Sequence, residues 1–152
     1  MAVYTWPPLM PSPRRLLTLG RFELREPDDA AADGALIPVQ PKRLALLVYL
    51  AESARRGFVR RDALLGLFWP ELSDDEARRA LRQALHQLRK AAGVDAIVAR
   101  ADDQVGVTPD ALWLDAAEVE RAAAAGDDAR VLALAHAYER QSRRFVPPKR
   151  PA

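Results

Sequence analysis

The 152-residue chain has no cysteine, only two histidines and seven glycines, and no uncharged stretch longer than residues 1–13. Each shortage excludes a class of chemistry. Without cysteine there is no disulfide framework and no thiolate metal site, so zinc fingers, zinc ribbons and CxxC redox centres are ruled out. His86 and His136 lie 50 residues apart, with no acidic or hydroxyl motif beside them to build a metal or catalytic centre. The glycines form neither Gly-x-Gly nor a phosphate-cradling loop. These shortages point away from an enzyme, and neither cofactor nor metal is expected. Residues 1–13 are too few to span a bilayer and are broken by Pro7, Pro8, Pro11 and Pro13. Arg14 and Arg15 follow this apolar part instead of preceding it, unlike a secretory signal. No membrane association is expected.

What is present is an uneven distribution of charge. The formal total is +2, from 23 Lys and Arg against 21 Asp and Glu. By segment, basic and acidic residues number 4 and 5 in residues 1–40, 12 and 7 in 41–100, 1 and 8 in 101–128, and 6 and 1 in 129–152. The middle of the chain is therefore basic, and the question is on which face its cations lie.

Seven of the twelve prolines fall in residues 1–13 and 147–152, which marks flexible tails over 1–14 and 146–152, the second of them basic. Between the tails, Leu17, Leu19, Phe22 and Leu24 alternate with polar or small residues, and Gly20 sits at a phase shift. This predicts strands, with a bulge or a tight turn at Gly20. Residues 35–39 predict a short edge strand, because Pro38 lies within them. From Pro41 the apolar period lengthens, with Leu44, Leu47, Val48 and Ala51 forming one stripe of a helix that ends near residues 55–57.

A second helix fits Arg61–Phe68, with Leu64, Leu65 and Phe68 inward and Pro70 as its stop. Arg60 stands where a Ser or Thr cap is usual. The third helix is the best specified. Ser73 and Glu76 form a capping box, Asp74 and Asp75 suit the positive end of the helix dipole, and Gly93 is a natural stop. Ile97–Arg100 and Gln104–Val107 then flank residues 101–103 as a hairpin. Asp115 and Glu118 open an alanine-rich helix up to Gly126, and residues 129–144 support another, giving a helical hairpin over 111–145. Trp69, Trp113, Phe22, Tyr49 and Phe68 are expected as core anchors. The fold expected is α+β. An N-terminal antiparallel sheet, three helices and a C-terminal hairpin give the plan of a winged helix-turn-helix over residues 15–110.

Projected at about 100° per residue, the third helix separates cleanly into two arcs. Ala77, Ala80, Leu81, Ala84, Leu85, Leu88, Ala91 and Ala92 share one; Arg78, Arg79, Arg82, Gln83, His86, Gln87, Arg89 and Lys90 share the other, with no acid among them. A merely solvated helix face usually mixes charge signs through i, i+4 pairs, which this one does not. The residue types suit a major groove: Arg pairs bidentately with guanine, Gln with adenine, and flanking cations neutralise phosphates. Candidate phosphate or wing contacts beyond the helix are Lys42, Arg43, Arg60, Arg61 and Arg100, although Asp102 and Asp103 occupy the hairpin turn itself.

Five stretches taken together, L-L-T-L-G-R-F-E-L (16–24), P-K-R-L-A-L-L-V-Y-L-A (41–51), A-L-L-G-L-F-W-P (63–70), A-R-R-A-L-R-Q-A-L-H-Q-L-R-K-A-A-G (77–93) and L-W-L-D-A-A-E-V-E (112–120), resemble a known family. It is that of the bacterial transcriptional activators of the antibiotic-pathway-regulator type, with an OmpR-type winged-helix DNA-binding domain. The fifth stretch resembles the junction into that family's helical bacterial-activation domain. The resemblance covers residues 16–126. It implies a third helix (74–92) in the major groove, the hairpin 97–107 as wing, and promoter double-stranded DNA as partner, often with two copies on direct repeats. It also implies contact with RNA polymerase through the loop 69–72, and a cytoplasmic, nucleoid-associated protein. The rival reading is a winged-helix protein-interaction module whose basic face binds an acidic partner.

Overall fold

The computed structural model describes residues 13–27 and 34–142; all but Pro13 and Arg14 of the two expected tails lies outside them. The chain begins with β1 (Arg14–Leu17), β2 (Glu23–Arg25) and β3 (Leu36–Ile37), followed by α1 (Pro41–Ser53) and β4 (Val59–Arg60). Then come α2 (Arg61–Phe68), α3 (Asp74–Ala92), β5 (Ile97–Arg100), β6 (Gln104–Val107) and β7 (Leu112–Leu114), and finally α4 (Asp115–Ala124) and α5 (Asp128–Ser142). The fold is mixed α+β. Among the described residues no helix is long and apolar enough to cross a membrane.

The strands form two sheets. In the first, Leu16 of β1 faces Leu24 of β2 in antiparallel register, both buried, and Gly20 between them takes φ 85, a left-handed conformation that glycine adopts without strain. β3 extends this sheet on one side, while β7 returns from far along the chain to pair parallel with β1, giving the order β3-β2-β1-β7. In the second sheet β6 lies between β4 and β5, both antiparallel to it. Neither β4 nor β7 was anticipated from sequence. Each has too few residues to show an alternating period, and each is a strand because of its distant partner. β7 also carries the first sheet past residue 110 and runs straight into α4.

α1 starts on Pro41, which needs no N–H donor in a first turn, and buries Leu44, Leu46, Leu47, Leu50 and Ala51. Leu46 and Leu50 lie outside the expected stripe; α1 is covered on more than one side, by α3 and by β6. α2 starts after Arg60 with no side-chain cap, and α3 lies across both earlier helices. Two expected anchors are instead open to solvent. Phe22 is 63% exposed, because β2 begins only at Glu23 and the ring sits in the preceding turn; Tyr49 is 39% exposed, with one side of its ring met edge-on by Phe68 at 6.0 Å. Trp69 is buried as expected, and half-buried Trp113 carries the Arg15 guanidinium 4.6 Å above its ring.

Asp115 fastens the helical hairpin to the first sheet. Its carboxylate, 8% exposed, accepts from the Thr18 N–H at 2.9 Å, the Thr18 hydroxyl at 2.8 Å, the Leu19 N–H at 3.0 Å and the Ala116 N–H at 2.8 Å. A buried carboxylate without such donors would be strongly unfavourable. Here one side chain ends β1 and opens α4.

Candidate nucleic-acid interface

The site is one face of α3. The Ser73 hydroxyl accepts from the Glu76 N–H at 3.4 Å, and Glu76 Oε2 accepts from the Ser73 N–H at 3.1 Å, so the capping box forms in both directions. The Ser73 hydroxyl also donates to Glu76 Oε2 at 2.8 Å, and that bond first, then the one from the Ser73 backbone N–H, holds the Glu76 carboxyl below its ordinary pKa; the Arg79 charge adds to the effect. The first-turn acids thus serve the helix end. At the other end Gly93 takes φ 113.

The inward arc of α3 is as expected. Ala77, Leu81, Ala84, Leu85, Leu88 and Ala92 are buried, and Ala80 and Ala91 are half-buried. On the outer arc Arg78, Arg79, Arg82, Gln83, His86 and Lys90 are exposed. Among the described residues, none of the cations on this face belongs to an ion pair. Elsewhere cations are engaged: Arg14 with Glu26, Arg25 with Glu23, Arg55 with Glu120, and Arg121 and Arg130 with Glu118. Charge left unpaired on a rigid helix is charge available to an anion.

The face is not uniform. Gln87 and Arg89 are only half-exposed, and Arg89 Nε donates to the Ile97 carbonyl at 3.1 Å, which ties α3 to the first residue of β5. Arg78, Arg82 and Arg89 therefore lie along the border with the second sheet. Arg79, Gln83, His86 and Lys90 occupy the open part.

The outlying basic residues separate into engaged and available ones. Lys42 is engaged, 3.7 Å from a Glu71 carboxylate oxygen and 5.4 Å above the Trp69 ring. Arg43 is half-buried on α1. Arg61 is also half-buried; its backbone N–H donates to the Asp103 carbonyl at 2.7 Å, and its Nε is buried without a hydrogen-bond partner. Arg60 and Arg100 are exposed and belong together, since both pair in register with Gln104 of β6. The row Arg60, Gln104, Arg100 crosses the second sheet, with the Arg100 guanidinium 5.7 Å above the Phe58 ring. Gly106 makes room for that ring, because a Cβ there would come within 2.9 Å of Phe58 Cδ1. Gln104 was not singled out from sequence, since its place in this row depends on the unanticipated β4. In the loop 69–72, Trp69 folds inward and leaves Pro70, Glu71 and Leu72 exposed.

No family model matches the chain, and no curated protein matches it.

Proposed function

We propose that this protein binds double-stranded DNA sequence-specifically, as a non-enzymatic transcriptional regulator of the antibiotic-pathway-regulator type. α3 enters the major groove, and β5 and β6 act as the wing of an OmpR-type winged helix-turn-helix. One observation carries the reading: α3 is capped at its first turn, anchored along its alanine- and leucine-rich side, and presents Arg78, Arg79, Arg82, His86 and Lys90 with no acid beyond the first turn and no internal ion pair. Small residues on the anchored side let the helix sit close to its scaffold while long side chains project. In the open part, Arg79, Gln83 and His86 are where base edges are read, by bidentate Arg and Gln contacts worth about 1–3 kcal/mol each, and Lys90 at its end neutralises a phosphate. The succession of α1, α2 and α3 by a hairpin that β4 completes into a three-stranded sheet supports the winged-helix assignment.

In this reading promoter DNA is the partner, two copies occupy repeated half-sites, and the exposed part of loop 69–72 is offered to RNA polymerase. Selection of bound duplexes from a random pool at physiological salt tests it. A recurrent motif is expected, present twice at one helical spacing if two copies bind. Failure to enrich any motif, together with tight binding to an acidic protein, would favour the interaction-module reading instead.

A further inference from the structure

The border of the basic face runs along a cleft of about 330 Å³ between α2, α3 and the turn joining β5 to β6. Arg61, Arg78 and Arg82 line it, and so do Asp62, Asp102 and Asp103. Arg78 and Arg82 are four residues apart on α3, and the two turn aspartates share the cleft with them. The turn is held in place: the Asp103 carbonyl accepts from the Arg61 N–H at 2.7 Å, and Ala101 takes φ 49 to make the reversal. Among the described residues the arginines and the turn aspartates do not close into ion pairs. They are opposite charges sharing an open cleft.

We propose that Asp102 and Asp103 are affinity-limiting residues of the α3 face, acting as an internal anionic competitor beside Arg78 and Arg82. The inference rests on the DNA-binding reading of α3. A phosphate backbone approaching Arg78 and Arg82 enters the field of these two carboxylates, which adds to that of Asp62 on α2, and is partly repelled by them. The sequence-independent attraction at this end of the helix is therefore held down, and the residues in the open part of the face, which lie away from the cleft, carry a larger share of the binding. Exchanging the carboxylates for amides removes the repulsion without touching the backbone hydrogen bond that fixes the turn.

The test is a double variant, Asp102→Asn with Asp103→Asn, against a control with the same change in net charge, Asp110→Asn with Asp128→Asn, well along the chain from α3. Binding to a random-sequence duplex is titrated across salt concentrations, and the salt needed for elution from heparin is measured in parallel. The turn variant is expected to bind the duplex about tenfold more tightly at low salt, with a log–log salt slope steeper by about 1 to 2. It should also elute from heparin at higher salt, while the control changes less than about twofold. An unchanged turn variant, or equal gains in both variants, overturns the proposal. A later heparin elution for the turn variant alone, with no duplex binding by any of the proteins, supports the aspartates' role toward polyanions and counts against DNA as the partner.

Discussion

At the residue scale, the side chains that matter divide by what they already touch. Lys90 is exposed and unpaired near the end of α3, so under the proposed function its contribution would be that of a point charge on a phosphate. Lys90→Ala is expected to weaken all duplexes alike and to flatten the log–log salt slope by about 1, read from titrations on specific and scrambled duplexes. Asp115 is the opposite case, with every role turned inward. Asp115→Ala leaves the Thr18 and Leu19 donors without their acceptor and is expected to cost about 3 kcal/mol, visible as a lowered urea midpoint. The outward arc of α3 was legible in the sequence because helical projection needs only local spacing. That Arg89 is tied to the Ile97 carbonyl, that Lys42 pairs with Glu71, or that Phe22 points to solvent was not legible, because each depends on where a separate segment ends.

Among the elements, α3 is the one whose boundaries and orientation the site depends on. Its capping box makes the site sensitive to acid. The Glu76 carboxyl lies below its ordinary pKa when folded, so its stabilisation is fully present above the unfolded value and is lost as pH falls through the folded one. Thermal melts followed from neutral pH down through the carboxylate range, roughly pH 5 to 3, should show an acid-side loss that Glu76→Gln reduces. Should the two proteins lose stability in parallel, the box contributes nothing that titrates. α2, α3, β5 and β6 were readable to the residue because their ends carry local signals: Pro70, Ser73 with Glu76, Gly93, and the polar turn between the hairpin strands. β4 and β7 were hidden because Val59 pairs with Val105 and Arg14 with Leu112, contacts that no local period announces.

For the whole molecule, the near-zero charge resolves into a division of labour. Four of the eight acids of residues 101–128 are committed: Asp115 fastens β1 to α4, Glu118 meets Arg121 and Arg130, Glu120 meets Arg55 of the loop after α1, and Asp127 accepts from the Arg130 N–H. They hold the helical hairpin together and against the body; among the described residues the α3 cations face carboxylates from the helix's own first turn and, along the cleft, from Asp62, Asp102 and Asp103. The sequence showed the imbalance between segments but not this use of the acids, since the pairing joins side chains from the loop after α1, from α4 and from α5. Under the proposed function, a protein built this way would attract polyanions through one face while its total charge stays small. Under the proposed function this face reads bases as well as phosphates. The most direct test compares wild type with Arg79→Ala and Gln83→Ala on the selected duplex and on a scrambled one at the same salt. Each variant is expected to lose about 1–3 kcal/mol on the selected duplex, concentrated at one base position, with a markedly smaller change on the scrambled one. Equal losses on both duplexes would contradict it, leaving α3 as an electrostatic surface with no power to discriminate sequence.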